Sequence, residues 1–224
     1  MKAYLDCYPC FLRQALDAAR MAGADERAQR TILERVLEVL QGASLSATPP
    51  QISHQVHRIV RQETGAEDPY RSAKARSTEE ALALYPWMKQ LVVDADDRLD
   101  ATVRLSIAGN IIDMAADADY DLREEVKRVL QEPFGIDDGE AFRAALDDAK
   151  HVLYLADNAG ETVFDRLLIE TIAPPVIYAV KGHPTINDAT MEDAQAAGVD
   201  QVADLMSNGS DAPGTVLEAC SEAF

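Results

Sequence analysis

Two polar stretches in the second half of the chain hold the residue types from which a cation- or phosphate-binding site is made. Asp157-Asn158-Ala159-Gly160-Glu161 follows the apolar run Val152 to Ala156. Lys181-Gly182-His183-Pro184-Thr185-Ile186-Asn187-Asp188-Ala189-Thr190 follows a second apolar run, Val176 to Val180. Side-chain oxygens of Asp and Asn are hard donors suited to Mg²⁺ or Mn²⁺, and a lysine beside such an ion suits an anionic phosphate.

The elements around these stretches place them. From His151 to Thr190 the chain reads as strand, acidic turn, helix, strand and second polar turn. Thr162 to Thr171 carries Val163, Leu167 and Leu168 on an apolar side, and Pro174-Pro175 ends it. Two parallel strands joined by a helix put both turns at the carboxyl edge of the sheet, where open α/β sheets bind ligands. Asp157, Asn158, Glu161, Lys181, Asn187 and Asp188 are therefore expected to face one site. Gly160 and Gly182 would let the backbone approach a ligand, and a helix starting after Asp188 would aim its N–H groups there. Taken singly, each polar residue is equally a turn former or an N-cap. Two such turns on consecutive strands make coincidence the weaker account.

Composition narrows the partners. With 224 residues, 47% of them hydrophobic, the chain can bury a good core. Its 39 acidic against 21 basic residues leave a net charge of -18, which argues against a nucleic-acid backbone or an anionic membrane as partner. A phosphate-bearing substrate needs a local positive focus instead. No run of about 18 apolar residues exists and Met1 to Asp6 lacks a signal peptide's apolar core, so a cytoplasmic location is expected. Three cysteines build no disulfide scaffold. Cys7 and Cys10 open a helix, where they are a redox pair, half of a metal site with His54 and His57, or small buried residues.

Before His151 the pattern is helical. Thr31 to Leu40 is amphipathic, a further helix starts at Pro49-Pro50 and closes at Gly65, and helices are predicted over Thr78 to Leu84 and, after Pro86, Met88 to Val93. Asp100 to Met114 is too apolar for a surface helix and is expected to be buried, with Asn110 and Asp113 on one face at i and i+3. Buried polar groups need partners, and a structural network or the rim of a ligand site supplies them. Leu122 to Leu130 and Glu140 to Ala149 follow. Val199 to Leu205 is expected as a third strand, Ser207 to Asp211 as a third polar turn facing the ligand, and Pro213 to Phe224 as a closing helix. The predicted fold class is α/β: an α-helical N-terminal lobe, 1–149, packed on a Rossmann-like three-layer α/β lobe, 150–224.

Asp-Asn-Ala-Gly-Glu at 157–161, the stretch 181–190 and Gly109-Asn110-Ile111-Ile112-Asp113 together resemble the damage-control phosphatase family, and Cys7-Tyr8-Pro9-Cys10 resembles its prokaryotic branch. Asp68-Pro69-Tyr70, with Lys74 beyond it, resembles a further motif of that family. The resemblance runs nearly end to end and implies a metal-dependent phosphatase acting on small phosphorylated metabolites such as sugar phosphates. On that reading Asp157, Asn158 and Asp188 hold Mg²⁺ or Mn²⁺, with Co²⁺ and Ni²⁺ as further candidates, and Lys181 neutralises the phosphoryl charge. Asn110, Asp113, Glu161 and Asn187 surround the substrate, and Asp157, Asp188 and Lys181 carry catalysis. Family members continue with a further strand and a Lys-Gly-rich loop, so the second lobe is expected to be incomplete at its carboxyl end. The competing reading is a non-catalytic binder of a nucleotide or sugar phosphate. The lack of Gly-x-Gly-x-x-Gly after the first strand counts against dinucleotides.

Overall fold

Apolar residues three and four apart, set between well-formed caps, build the first part of the chain into helices. In the computed structural model, which describes residues 2–44, 46–112 and 122–224, these are α1 (Cys7–Met21), α2 (Glu26–Gly42) and α3 (Pro49–Thr64). Asp25 accepts the Ala28 N–H at 2.8 Å to start α2. Thr48 and Gln51 form a capping box at α3, with Pro at its first positions, and Gly65 ends it at φ 68°. Phe11, Ala15, Ala18, Ile32, Val36, Leu40, Ile52, Val56 and Val60 share one core. That core belongs to a compact unit made of Met1–Ser72, Lys181–Asp188 and Asn208–Phe224.

A second unit comprises Ala73–Val180 and Ala189–Ser207. Its helices are α4 (Arg71–Asp94), α5 (Arg98–Ile112), α6 (Leu122–Gln131), α7 (Gly139–Asp148), α8 (Thr162–Ile169) and α9 (Met191–Ala196). Its strands β1 (Val152–Leu155), β2 (Val176–Val180) and β3 (Asp204–Ser207) form a parallel sheet in the order β1-β2-β3. Leu155 pairs with Ala179 and Val180 with Ser207, so the strands end at one edge. Tyr178, Phe164, Leu105 and Met88 lie in the core of this unit. The described strands all follow Lys150, as expected for a mixed α/β chain with its helices first. The compact units interleave along the sequence.

Several expectations change. Pro86 lies inside α4 instead of separating two helices. Ala81, Leu84, Met88 and Val92 make one buried stripe across it, and that burial outweighs the lost hydrogen bond. Val199–Gln201 is a 3₁₀ turn entered through Gly198 at φ 76°, so the third strand starts only at Asp204. The expected closing helix shrinks to a 3₁₀ turn at Leu217–Ala219, because Gly214 takes φ 66° right after Pro213. Leu153 and Leu155 on β1 are 56% and 50% exposed, so the run is buried on one face only. The segment α5 buries Ala101, Leu105 and Ala108 but leaves Ile107 and Asn110 exposed.

His57 of α3 is 3% exposed and its Nε2 has no hydrogen-bond partner among the described residues. Burial, helped by the charge of Arg61, brings its pKa down to about 4 from 6.5. Between those values the unfolded chain takes up the proton and the folded chain does not, so stability falls as pH drops from 6.5 towards 4 and is unaffected by this group above 6.5. The loss by pH 4.5 should be about 2–3 kcal/mol. Denaturant titrations at pH 7 and 4.5 should show His57→Phe losing less by that amount. An equal loss in variant and parent would assign the acid sensitivity elsewhere.

Candidate functional site

The acidic turn leaves β1 with its backbone still in the sheet, the Ala156 N–H donating to the Ala179 carbonyl at 2.9 Å. Asp157 is exposed, whereas Asn158 and Glu161 are buried and joined by an Asn158 Nδ2 to Glu161 Oε1 bond of 2.6 Å. Glu161 is also the N-cap of α8, its carbonyl accepting the Phe164 and Asp165 N–H groups. A Cβ on Gly160 would lie 3.0 Å from Ser77 Cβ, so this glycine lets α4 come close; the ligand approach expected of it is not its evident role. The Ala189 N–H donates to the Asp157 carbonyl at 2.7 Å. That bond fastens the residue after Asp188 to the head of the acidic turn.

Beneath the turn lies a group that sequence patterns did not single out. Asp165, 3% exposed, accepts from Tyr154 Oη at 2.5 Å, Tyr178 Oη at 2.6 Å and Ser106 Oγ at 3.0 Å. Burial raises the Asp165 pKa although the three hydroxyls favour its charge, and burial likewise raises both tyrosines. The stacked rings of Tyr154 and Tyr178 lie 5.2 Å apart. Tyrosine in two consecutive apolar strand runs, with Asp one turn into the intervening helix, is the signal that could have found it.

The second turn has its own scaffold. Lys181, 5% exposed, donates to the Gly214 carbonyl and pairs with Asp188 Oδ2 at 3.3 Å. Its neighbour Gly182 donates to Ser210 O at 3.0 Å and Asn208 Oδ1 at 3.2 Å. A Cβ on Gly182 would fall 2.5 Å from the Gly209 backbone, so this glycine serves a crossing of two loops. The third polar turn is thus a brace: Asn208 Oδ1 also accepts Ser210 N–H at 2.9 Å, and Thr185 Oγ1 donates to Asp211 O at 2.7 Å. Asp211 in turn pairs with Arg61 at 2.6 Å and with His54 at 2.8 Å. Ile186 sits at φ 48°, unusual for a β-branched residue, next to the half-buried Asn187.

A family model described as the damage-control phosphatase ARMT1-like domain matches residues 3–224. The chain belongs to this family. It is 35% identical to a damage-control phosphatase of Archaeoglobus fulgidus, over 95% of this chain and 76% of that protein. It is also 35% identical to the protein MJ0202 of Methanocaldococcus jannaschii, over 98% and 75%. The crystal structure of a DUF89 family protein, PH1575 of Pyrococcus horikoshii, superposes with a TM-score of 0.90 at 28% identity, covering 100% of this chain and 80% of that one.

In this damage-control phosphatase family member the expected site residues fall into two local sets. Asp157, Asn158 and Glu161 stand together on the first turn; Lys181, Asn187 and Asp188 stand together on the second. Asn110 is exposed on α5, and Asp113 lies outside the described residues. The helix expected after Asp188 is α9, six residues long, whose first N–H groups are engaged by a Thr190–Asp193 capping box. Among the described residues no group of three or more His, Cys, Asp and Glu side chains is arranged to hold a metal. Cys7 and Cys10 are free thiols, His54 is committed to Asp211, and among the described residues no helix is long and apolar enough to cross a membrane.

The loop crossing gives a direct test. Gly182→Ala would force its Cβ into the Gly209 backbone, which has no flexible end to yield. It should cost about 2 kcal/mol or more, visible as a fall in melting temperature. An unchanged melting temperature would mean that the two loops separate readily.

Proposed function

We propose that this chain is a divalent-metal-dependent phosphatase that hydrolyses small phosphorylated metabolites such as sugar phosphates. The family and the damage-control phosphatase name of its relatives support phosphatase chemistry. The observation that carries the metal reading is the 2.7 Å bond from Ala189 N–H to the Asp157 carbonyl, which ties the chain leaving Asp188 to the acidic turn.

In this reading Asp157, Asn158 and Asp188 hold Mg²⁺ or Mn²⁺, with Co²⁺ and Ni²⁺ as alternatives. Two carboxylates and an amide oxygen are a sparse, hard donor set, which fits an ion that keeps several of its own waters. When bound, the ion polarises the phosphoryl oxygens. Asn158 gives its Nδ2 to Glu161, which fixes the orientation of the amide so that Oδ1 is its remaining polar atom. Lys181 has three N–H donors; Gly214 O and Asp188 take two, and the third serves a phosphoryl oxygen. In a chain of net charge -18 that ammonium and the ion are the local positive focus an anionic substrate requires. Asn187, Glu161, Asn110 and Asp113 contact the rest of the substrate.

Phosphate release from a panel of sugar phosphates should occur with Mg²⁺ or Mn²⁺ and vanish with EDTA. Tight substrate binding without turnover would favour a non-catalytic binding protein. Bound metal should also raise the melting temperature, by an amount equivalent to about 2.7 kcal/mol at a hundredfold excess over Kd. Asp157→Asn and Asp188→Asn should each abolish that rise; a variant that kept it in full would remove its residue from the ion site.

Lys181→Met separates phosphate binding from ion binding. It should lower kcat/KM at least tenfold, about 1.4 kcal/mol in barrier. It should also leave the metal-induced rise in melting temperature intact or enlarge it, because Lys181, a cation competing for Asp188, is gone. Loss of the metal effect in that variant would show that Lys181 organises the ion site.

A further inference from the structure

Lys74 lies in the first turn of α4 and is 3% exposed. Its Nζ is 2.8 Å from Asp193 Oδ2. The same oxygen accepts the Thr190 N–H at 2.9 Å and the Thr190 hydroxyl at 2.6 Å. A capping box is complete without a cation, since the carboxylate at N3 already satisfies the N-cap backbone. Burying an ammonium against it is costly, and a buried ion pair can often be replaced by apolar residues without loss of stability. The capping box alone therefore does not account for Lys74. Its placement does: Thr190 follows Ala189, whose N–H is bonded to the Asp157 carbonyl. One turn further along α4, Ser77 backs the acidic turn at Gly160, its Cβ 3.0 Å from where a glycine side chain would begin. The same short face of α4 thus supports both the acidic turn and the chain that leaves Asp188.

We propose that Lys74 is a positioning residue that, through Asp193 and Thr190, keeps the Ala189 N–H on the Asp157 carbonyl. The consequence for catalysis rests on the metal reading above; the tether itself does not. Lys74 fixes the backbone from which Asp157 projects and into which Asp188 leads.

The test uses the full chain as Lys74→Met and as the double variant Lys74→Met/Asp193→Asn, which removes the pair with little change of volume. Amide exchange at Ala189 should be at least tenfold faster in both, while exchange at the buried Leu105 of α5 is unchanged. Mg²⁺ affinity by calorimetry should fall tenfold or more in both. The double variant should recover the parental melting temperature while keeping both defects, a separation that a merely structural role does not produce. Parental exchange at Ala189 in Lys74→Met would overturn the proposal, and so would recovery of exchange and affinity together with stability in the double variant. Faster Ala189 exchange in a protein whose parent binds no Mg²⁺ would uphold the tether and overturn the metal reading.

Discussion

The sheet-bearing unit depends on one buried carboxylate, Asp165, that has no cation beside it among the described residues. Asp165 of α8 takes hydroxyl hydrogen bonds from Tyr154 of β1, Tyr178 of β2 and Ser106 of α5, so a single side chain registers two strands and two helices. A charge this deeply buried is expensive, and losing one hydroxyl would leave it short of a donor at a cost of about 1–3 kcal/mol. Unlike apolar packing, which tolerates sliding, three directional bonds fix one arrangement. Tyr154 precedes Asp157 by three residues and Asp165 follows Glu161 by four, so the acidic turn is held at both ends by this network.

Charge in the second turn is arranged on a different principle. Buried Asp188 is neutralised by buried Lys181, and Lys181 is further held by the Gly214 carbonyl. Neither charge is stranded in the absence of a ligand, which a protein with an overall charge of -18 could not sustain cheaply for a lone carboxylate.

Much of the strand–turn–helix order was legible in the sequence, because apolar runs, proline pairs and helix-ending glycines act locally. Gly65 ends a helix as its position suggested, and α3 starts at its proline pair. What failed to read was non-local. Pro86 looks like a break until the buried stripe on both sides of it is seen. Leu153 and Leu155 look buried by composition, yet only the tertiary arrangement decides which face of β1 is covered. The polar residues of both turns were recognisable, but their partners were not: nothing local tells that Gly182 crosses Gly209, or that Asn208 and Ser210 brace the loop.

Those braces bear on how the turns perform. The loop Lys181–Asp188 is fixed by bonds from Gly182 and His183 to Ser210, from Thr185 to Asp211, and from Arg61 to Pro184 O, with Asp211 itself held by Arg61 and His54. Ile186 keeps a left-handed conformation within this frame while its side chain packs on the helical core. A β-branched residue holds such a conformation only where its surroundings over-determine it, and the cost is of order 1–3 kcal/mol. Folding has therefore already fixed the backbone that carries Asn187 and Asp188. A ligand that meets a loop ordered in advance loses less of its binding energy to ordering, and electrostatic stabilisation of a transition state requires groups that do not have to reorganise. The strain at Ile186 and the close crossing at Gly182 are the same device, a loop held in one shape by contacts outside the residues that would touch the ligand.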